Sequence, residues 1–253
     1  MKKVITKFMT AAALIMISIA ANAQGGLIPL VGSTHVYSVT ADDAANNTLA
    51  WTVSPATGYN INSGAATQQV NITWTTAGTY TVTFTETDAA TGCATVKNAT
   101  VVVSANTFDV SASNPVAVCN AADGQVNYTD ANATTAITFT IAMTTANAAF
   151  NPNWEITFTL NPGTATLGTV TVNNGTLSGT GPFTLTGISS ASGNGTVDIT
   201  MNVTGGIYTA QTVELAITSA RELTYNTPDV DNTDWTAIQT INAIPQTSTI
   251  TTD

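Results

Sequence analysis

Thr79-Tyr80-Thr81-Val82-Thr83-Phe84-Thr85 is the stretch that decides the fold of this chain of 253 residues. Threonine alternates here with aromatic or aliphatic residues, so every second side chain is polar. Successive side chains of a strand point to opposite faces of a sheet, and this period of two therefore predicts a strand with one buried and one water-facing side. The same alternation returns at 137–141 and 156–160.

Short clusters of Gly, Asn and Pro separate the alternating runs, for example at 161–163, 173–175 and 192–195. Gly and Asn tolerate the positive backbone φ of tight hairpin turns, and Pro fixes φ in others. Many short strands joined by such turns are typical of β-sandwiches, so we expect an all-β protein. Its 43% of apolar residues are enough for one or two real cores.

The first 23 residues have the pattern of a secretory signal peptide. Three lysines precede the apolar run 11–20, and the segment closes on Ala21-Asn22-Ala23. A basic start, a short apolar run and a small-residue end are what the export machinery and its peptidase recognise. We therefore expect residues 1–23 to be removed before Gln24. The apolar run is too short to cross a bilayer comfortably, and no second run of spanning length follows, so the sequence predicts no membrane-spanning helix.

Cationic side chains are almost absent from the chain that remains. Lys97 and Arg221 stand against fifteen acids, a formal charge of about −13, and His35 is the one histidine. Nucleic acid and anionic lipid are poor partners for such a chain, since both require a basic footprint. Most enzymes draw proton transfer and oxyanion stabilisation from the side chains that are scarce here, so the sequence predicts no enzyme.

Three glutamates and the histidine are the groups that a catalytic hypothesis would have to use. Glu155, Glu214 and Glu222 contain the carboxylates of a conceivable glycosidase pair. Glu155 and Glu214 fall within alternating stretches, where a water-facing position is the ordinary explanation. His35 opens an early strand, and we expect a surface or capping role for it rather than metal ligation.

The first third of the mature chain resembles a known class of module. Val70-Asn71-Ile72-Thr73-Trp74, followed by the Gly78–Phe84 strand and by Thr91-Gly92-Cys93, is similar to the PKD-like immunoglobulin-type domains of bacterial exported cell-surface proteins. This resemblance implies a PKD-like β-sandwich over 24–104, although the Gly-Asp-Gly turn of the PKD pattern is missing. The second domain, 105–253, matches no family on its sequence pattern but has turn spacing for eight to ten strands. The expected fold is thus two tandem immunoglobulin-like β-sandwich domains after a cleaved signal peptide.

Cys93 and Cys119 are the two cysteines, and an exported chain can oxidise them. Cys93 begins the last predicted strand of the first domain, and a straight strand from Cys93 to Val103 spans roughly 36 Å. A disulfide with Cys119 therefore requires the chain to fold back near Asn106. An internal bridge and two free or intermolecular thiols are the alternatives that remain open.

Hard oxygen ligands recur in one predicted loop of the second domain. Asp229, Asp231, Asn232 and Asp234 are spaced closely enough to surround one calcium ion if the backbone turns between them. The glycine and the downstream bidentate acid of an EF-hand loop are missing. A solvated acidic loop with Asx turns is the alternative to a calcium site, and no other cofactor is indicated.

Two tryptophans lie beside loop signals, and two lie inside strand patterns. We expect Trp51 and Trp74 in the core of the first domain. Trp154 and Trp235 are candidate exposed platforms for sugar rings, with burial as the alternative, since tryptophan is highly buried on average.

Together these patterns indicate a secreted, non-catalytic structural or adhesive protein of the cell surface. Copies of itself, in an extracellular fibre or surface layer, and other envelope proteins are the expected partners. The alternative is a glycan- or protein-binding module that uses Trp154, Trp235 and the acidic loop.

Overall fold

A computed structural model describes residues 29–126, 128–146 and 150–247. The predicted signal peptide lies outside these residues. Every helix or strand assigned within them is a β-strand, so the all-β prediction is confirmed. No helix of the described part of the chain is long and apolar enough to cross a membrane. The chain folds into two compact units that divide between Ala105 and Asn106.

The first unit has six strands within the described residues. They are β1 (Thr34–Ser38), β2 (Thr48–Ser54), β3 (Tyr59–Ser63), β4 (Gln69–Trp74), β5 (Gly78–Thr87) and β6 (Ala94–Val103). One sheet has the order β1-β4-β3 and the other has the order β2-β5-β6. Read as strands B-E-D and C-F-G, these six strands have the order of an immunoglobulin-like sandwich. Its strand A is not among the strands assigned in the described residues.

The core of the first unit lies between the two sheets. Trp51 of β2 packs on Phe84 of β5 with ring centroids 4.9 Å apart, and Trp74 of β4 packs on Tyr80 of β5 at 4.8 Å. All four side chains are buried, and Trp74 has no exposed surface. The alternating apolar positions of the opening stretch therefore point inward, and the predicted core positions of Trp51 and Trp74 are confirmed.

Tyr80 also closes a loop through its hydroxyl group. Its Oη donates a hydrogen bond to the backbone carbonyl of Thr76, four residues upstream, at 2.9 Å. A tyrosine near the start of strand F that bonds backward in this way is the tyrosine corner of immunoglobulin-like sandwiches. The tyrosine corner and the strand order together indicate an immunoglobulin-like fold for the first unit.

Two details of the first unit differ from the sequence prediction. The sequence analysis does not predict strand β3, because it is short and rich in asparagine, a residue depleted in strands. His35 is only 4% exposed rather than at the surface. Its Nε2 lies 2.9 Å from the Ser33 hydroxyl, and burial lowers its pKa to about 4. The imidazole is therefore a neutral core group at physiological pH.

The second unit has ten strands within the described residues, as many as the turn spacing allows. They are β7 (Asp109–Ala112), β8 (Val118–Cys119), β9 (Asn132–Thr144), β10 (Trp154–Asn161), β11 (Thr166–Val172), β12 (Thr176–Ser178), β13 (Phe183–Ile188), β14 (Asn194–Gly206), β15 (Gln211–Glu222) and β16 (Thr236–Asn242). The sheets have the orders β11-β14-β9-β7 and β12-β13-β10-β15-β16-β8. All of these strand pairs are antiparallel except β16 with β8, which is parallel.

Strands β9 and β14 form the longest ladder of the second unit, with thirteen residue pairs in unbroken register. On β9 the side chains of Ile137, Phe139 and Ile141 point into the core and are at most 3% exposed. They pack in one apolar cluster with residues of β10 and β15, such as Phe158 and Leu215, from the other sheet. The second unit is therefore also a two-layer sandwich.

The tyrosine corner gives a direct stability test. We expect Tyr80→Phe to lower the free energy of unfolding by about 1 kcal/mol, because the Thr76 carbonyl loses its donor while the ring still fills the core. Urea unfolding of the mature chain measures the change. Tyr208→Phe is the matched control, since Tyr208 is 49% exposed; an equal loss in both variants would contradict a corner at Tyr80.

Candidate functional site: a groove beside Trp235

The connection between β15 and β16, residues 223–235, runs between strands of the two sheets. On one side the Asp229 N–H donates to the Ala220 carbonyl of β15 at 3.1 Å. On the other side the Val230 N–H donates to the Phe108 carbonyl, next to β7, at 2.9 Å. This segment, which has no alternating pattern, is therefore held by backbone hydrogen bonds to both layers of the sandwich.

Glu222 fixes the start of this connection. Its side chain has no exposed surface, and its carboxylate accepts hydrogen bonds from the N–H groups of Thr224, Tyr225 and Thr227 at 2.7 to 2.9 Å. The Thr227 hydroxyl donates a fourth at 2.8 Å. A buried carboxylate is stable only with such partners, so Glu222 is a structural anchor of the turn.

Asp229 holds the far end of the connection and orients Trp235. Its Oδ2 accepts hydrogen bonds from the Val110 N–H at 2.8 Å and from the Trp235 indole Nε1–H at 3.1 Å. Its Oδ1 accepts from the Asp231 N–H at 3.0 Å. Burial raises the pKa of Asp229, and the hydrogen bonds from Asp231, Trp235 and Val110 partly oppose this shift. The carboxylate thus fixes both the loop and the plane of the indole ring.

A groove of about 350 Å³ opens between this loop and β15. Trp235, Ala220 and Pro228 supply apolar surface, while Ser219 and Asp231 supply polar groups. Trp235 is partly buried and packs against the core, with the rest of its surface accessible. The arrangement places an oriented aromatic ring with carboxylates beside it, a combination that can contact a ligand.

The charged side chains that line the groove are acidic. Burial raises the pKa of Asp109 on β7, and the charges of Asp234 and Asp231 raise it further. By contrast, the pKa of Asp231 is lowered by hydrogen bonds from the Thr233 N–H and hydroxyl, so Asp231 stays ionised. Buried Asp234 Oδ1 has no hydrogen-bond partner in the described part of the chain.

Arg221 of β15, which follows the groove-lining residue Ala220, is paired with another acid. Arg221 forms an ion pair with Glu155 at 2.8 Å and donates to the Asn226 side chain at 2.6 Å. Glu155 thereby has an ordinary structural role at the surface, and Arg221 does not line the groove.

The structure separates the two candidate tryptophan platforms. Trp235 lies in the groove, as a platform requires. Trp154 has no exposed surface and packs in the core of the second unit, so the prediction of an exposed platform at Trp154 is wrong. The physical reason is that Trp154 begins β10 on the inward face, where its apolar area is removed from water.

The four residues of the predicted calcium loop lie in the same connection, and several of their oxygens already accept hydrogen bonds from the chain itself. Asp229 and Asp231 accept hydrogen bonds from the chain itself, while Asn232 lies at the groove. Within the described residues no group of three or more His, Cys, Asp or Glu side chains is arranged to hold a metal ion. The calcium site at Asp229, Asp231, Asn232 and Asp234 stays a prediction.

The cysteines lie one in each unit. Cys93 precedes β6 and Cys119 ends β8, and both are exposed free thiols. A disulfide between Cys93 and Cys119 stays a prediction, as does its intermolecular alternative.

Comparison with known proteins gives no family. No protein-family model matches the chain, and no curated protein matches it. Among solved structures, a chimeric titin Z1Z2 carrying a decorin peptide is 8% identical, with 87% of this chain and 93% of that one covered, at a TM-score of 0.35. Fibronectin(III)-like modules of Clostridium thermocellum CbhA are 10% identical, with 91% and 98% covered, at 0.32. The enterotoxigenic E. coli adhesin CfaE is 8% identical, with 89% and 90% covered, at 0.35.

TM-scores this low carry no argument about the present chain. Its immunoglobulin-like assignment rests on the strand order of the first unit and on the Tyr80 corner described above.

The raised pKa of Asp109 predicts a pH-dependent stabilisation. A carboxyl whose pKa is higher in the folded state than in the unfolded state destabilises the fold once both states are ionised. We therefore expect Asp109→Asn to raise the free energy of unfolding at pH 7, and the gain to shrink as the pH falls through the ordinary aspartate pKa of about 3.9 and to be nearly gone at about pH 3, where the unfolded state is also mostly protonated. Urea unfolding at both pH values measures the gain.

Asp123→Asn removes the same charge from an exposed turn outside the groove and serves as the control. Equal gains for both variants would mean that net charge alone, and not the surroundings of Asp109, causes the effect.

Proposed function

We propose that this chain is an exported, non-catalytic protein of the cell surface with a structural or adhesive role. The observation that carries the proposal is the chemistry of the water-facing side of its sheets. On β9 and β14, Thr134 shares a hydrogen bond with Thr204 at 2.7 Å, and Thr138 shares one with Thr200 at 3.0 Å. These cross-strand pairs contribute to sheet stability, and they make the surface polar with uncharged side chains.

The same pattern recurs beyond these pairs. The Thr140 hydroxyl donates to Asp198 at 2.7 Å on the same ladder, and in the first unit Thr34 and Thr73 pair at 2.7 Å. Side chains that bond to one another across strands keep a sheet face polar and ordered at once. Such a surface supports a stiff, durable spacer or scaffold outside the cell.

Several of the groups that an enzyme could use have structural roles in this fold. His35 is buried in the core, Glu222 anchors a turn, and Arg221 and Glu155 form an ion pair. These roles support a non-catalytic function, because a general acid or base must reach a substrate.

The proposal includes export through the signal peptide at 1–23 and a PKD-like domain at 24–104. It also includes assembly with copies of itself, or with other envelope proteins, into a fibre or surface layer.

The groove beside Trp235 favours a second candidate function, a recognition module for a protein or glycan partner, because an oriented aromatic ring with carboxylates offers specific contacts.

Trypsin treatment followed by electron microscopy of the exported material tests the proposal. After removal of the leader, the trypsin sites are Lys97 in β6 and Arg221 in β15. Both lie within paired strands, so cleavage requires local unfolding. We expect chains that stay intact under prolonged digestion and that form filaments or lattices.

Gln125→Lys is the control, because it places a trypsin site in an exposed turn and should be cut there quickly. Rapid cleavage of the unchanged protein at Lys97 or Arg221 would contradict a rigid scaffold. Intact but dispersed single particles would contradict assembly and leave the recognition function as the better explanation.

A further inference from the structure

The groove beside Trp235 has unused capacity to bind a charged group. Asp231 accepts both hydrogen bonds from Thr233 through Oδ1, and its Oδ2 accepts none from the described residues. Asp231 is exposed at the groove and ionised. An ionised acceptor of this kind favours a cationic donor over a neutral one.

The acidic residues near Asp231 also favour a cationic ligand. Asp229 lines the groove, and Asp109 and Asp234 interact electrostatically behind the same loop. None of the residues that line the groove is cationic. A positive ligand would therefore relieve repulsion among these carboxylates, while an anionic ligand would increase it.

The apolar part of the groove suits a long, flexible stem. Ala220 and Pro228 lie beside Trp235, whose ring is held by its hydrogen bond to Asp229. Lysine and arginine bury their methylene chains along apolar surface while the charged head remains in polar surroundings. A cation near an indole face is also attracted by the ring.

We propose that the groove binds a lysine or arginine side chain presented by a basic segment of a partner protein. Complementarity of charge argues against a second copy as the occupant. The chain without its leader carries two cationic side chains, and Arg221 is already paired with Glu155. A basic segment of this kind is the partner that the adhesive function binds, so this inference rests on that proposed function.

Titration of the mature chain with hexalysine, followed by nuclear magnetic resonance of the tryptophan indole N–H signals, tests this site. Trp235→Phe identifies the Trp235 signal. We expect that signal to move saturably, because its N–H bonds to Asp229 at the groove. The indole signals of buried Trp51, Trp74 and Trp154 should stay in place and report an intact fold.

Asp231→Asn and Asp123→Asn separate a specific site from diffuse attraction. Both remove one negative charge from an exposed position, but only Asp231 lines the groove. We expect Asp231→Asn to weaken hexalysine binding by about threefold or more and Asp123→Asn to leave it nearly unchanged.

Equal weakening by both variants, or no movement of the Trp235 signal, would overturn the proposal. So would a Trp235 signal that moves with a neutral cello-oligosaccharide and not with hexalysine, which would assign the groove to glycans. Each of these results is independent of the trypsin and microscopy outcome, so failure of the groove and failure of the scaffold can be told apart.

Discussion

Burial of alternate side chains between two sheets is the constraint on which both units depend. In β9 the inward residues Phe139 and Ile141 have no exposed surface, while their neighbour Thr138 faces water. A slip of one residue in the pairing with β14 would turn this apolar set to solvent. Each buried side chain of this size stabilises the fold by about 1.5 to 3 kcal/mol, so burial strongly disfavours a one-residue slip in this ladder of thirteen pairs.

The outward face has to be polar without disturbing that register, and threonine meets both requirements. It is β-branched, so it suits the extended backbone, and its hydroxyl can bond to a neighbour across the ladder. The Thr134–Thr204 and Thr138–Thr200 pairs show this arrangement. Threonine therefore replaces the lysine and glutamate of ordinary surfaces, which explains how the chain has only 8% charged residues.

The fold class can be predicted from the sequence because the alternation of apolar and polar residues is visible within each short stretch of the chain. The strands β4 and β5 lie where the alternation predicts them, whereas β3 is not predicted because it is short and rich in asparagine, a residue depleted in strands. His35 was misplaced because a lone polar residue in a strand does not reveal which face it occupies. Its burial depends on the Ser33 hydroxyl beside it and on the packing of the whole unit.

The groove could be predicted only in part, because its residues come from distant positions. Trp235 and Asp231 were singled out by their place in an acidic loop. Asp109 lies about 120 residues earlier and joins them electrostatically only because β7 and the loop meet at the sandwich edge. No local pattern carries that information. Trp154 shows the converse error, since a tryptophan next to a loop signal can still begin a strand on its inward face.

Amide hydrogen exchange of the mature chain tests most directly whether these ladders form a rigid scaffold. In β9, β14 and β15 the backbone N–H groups should exchange slowest, roughly a thousandfold or more below unfolded rates, because they open only with the cooperative unfolding of the sandwich. Exchange of those strands at the rate of the exposed connections would contradict a rigid sandwich built on alternating burial.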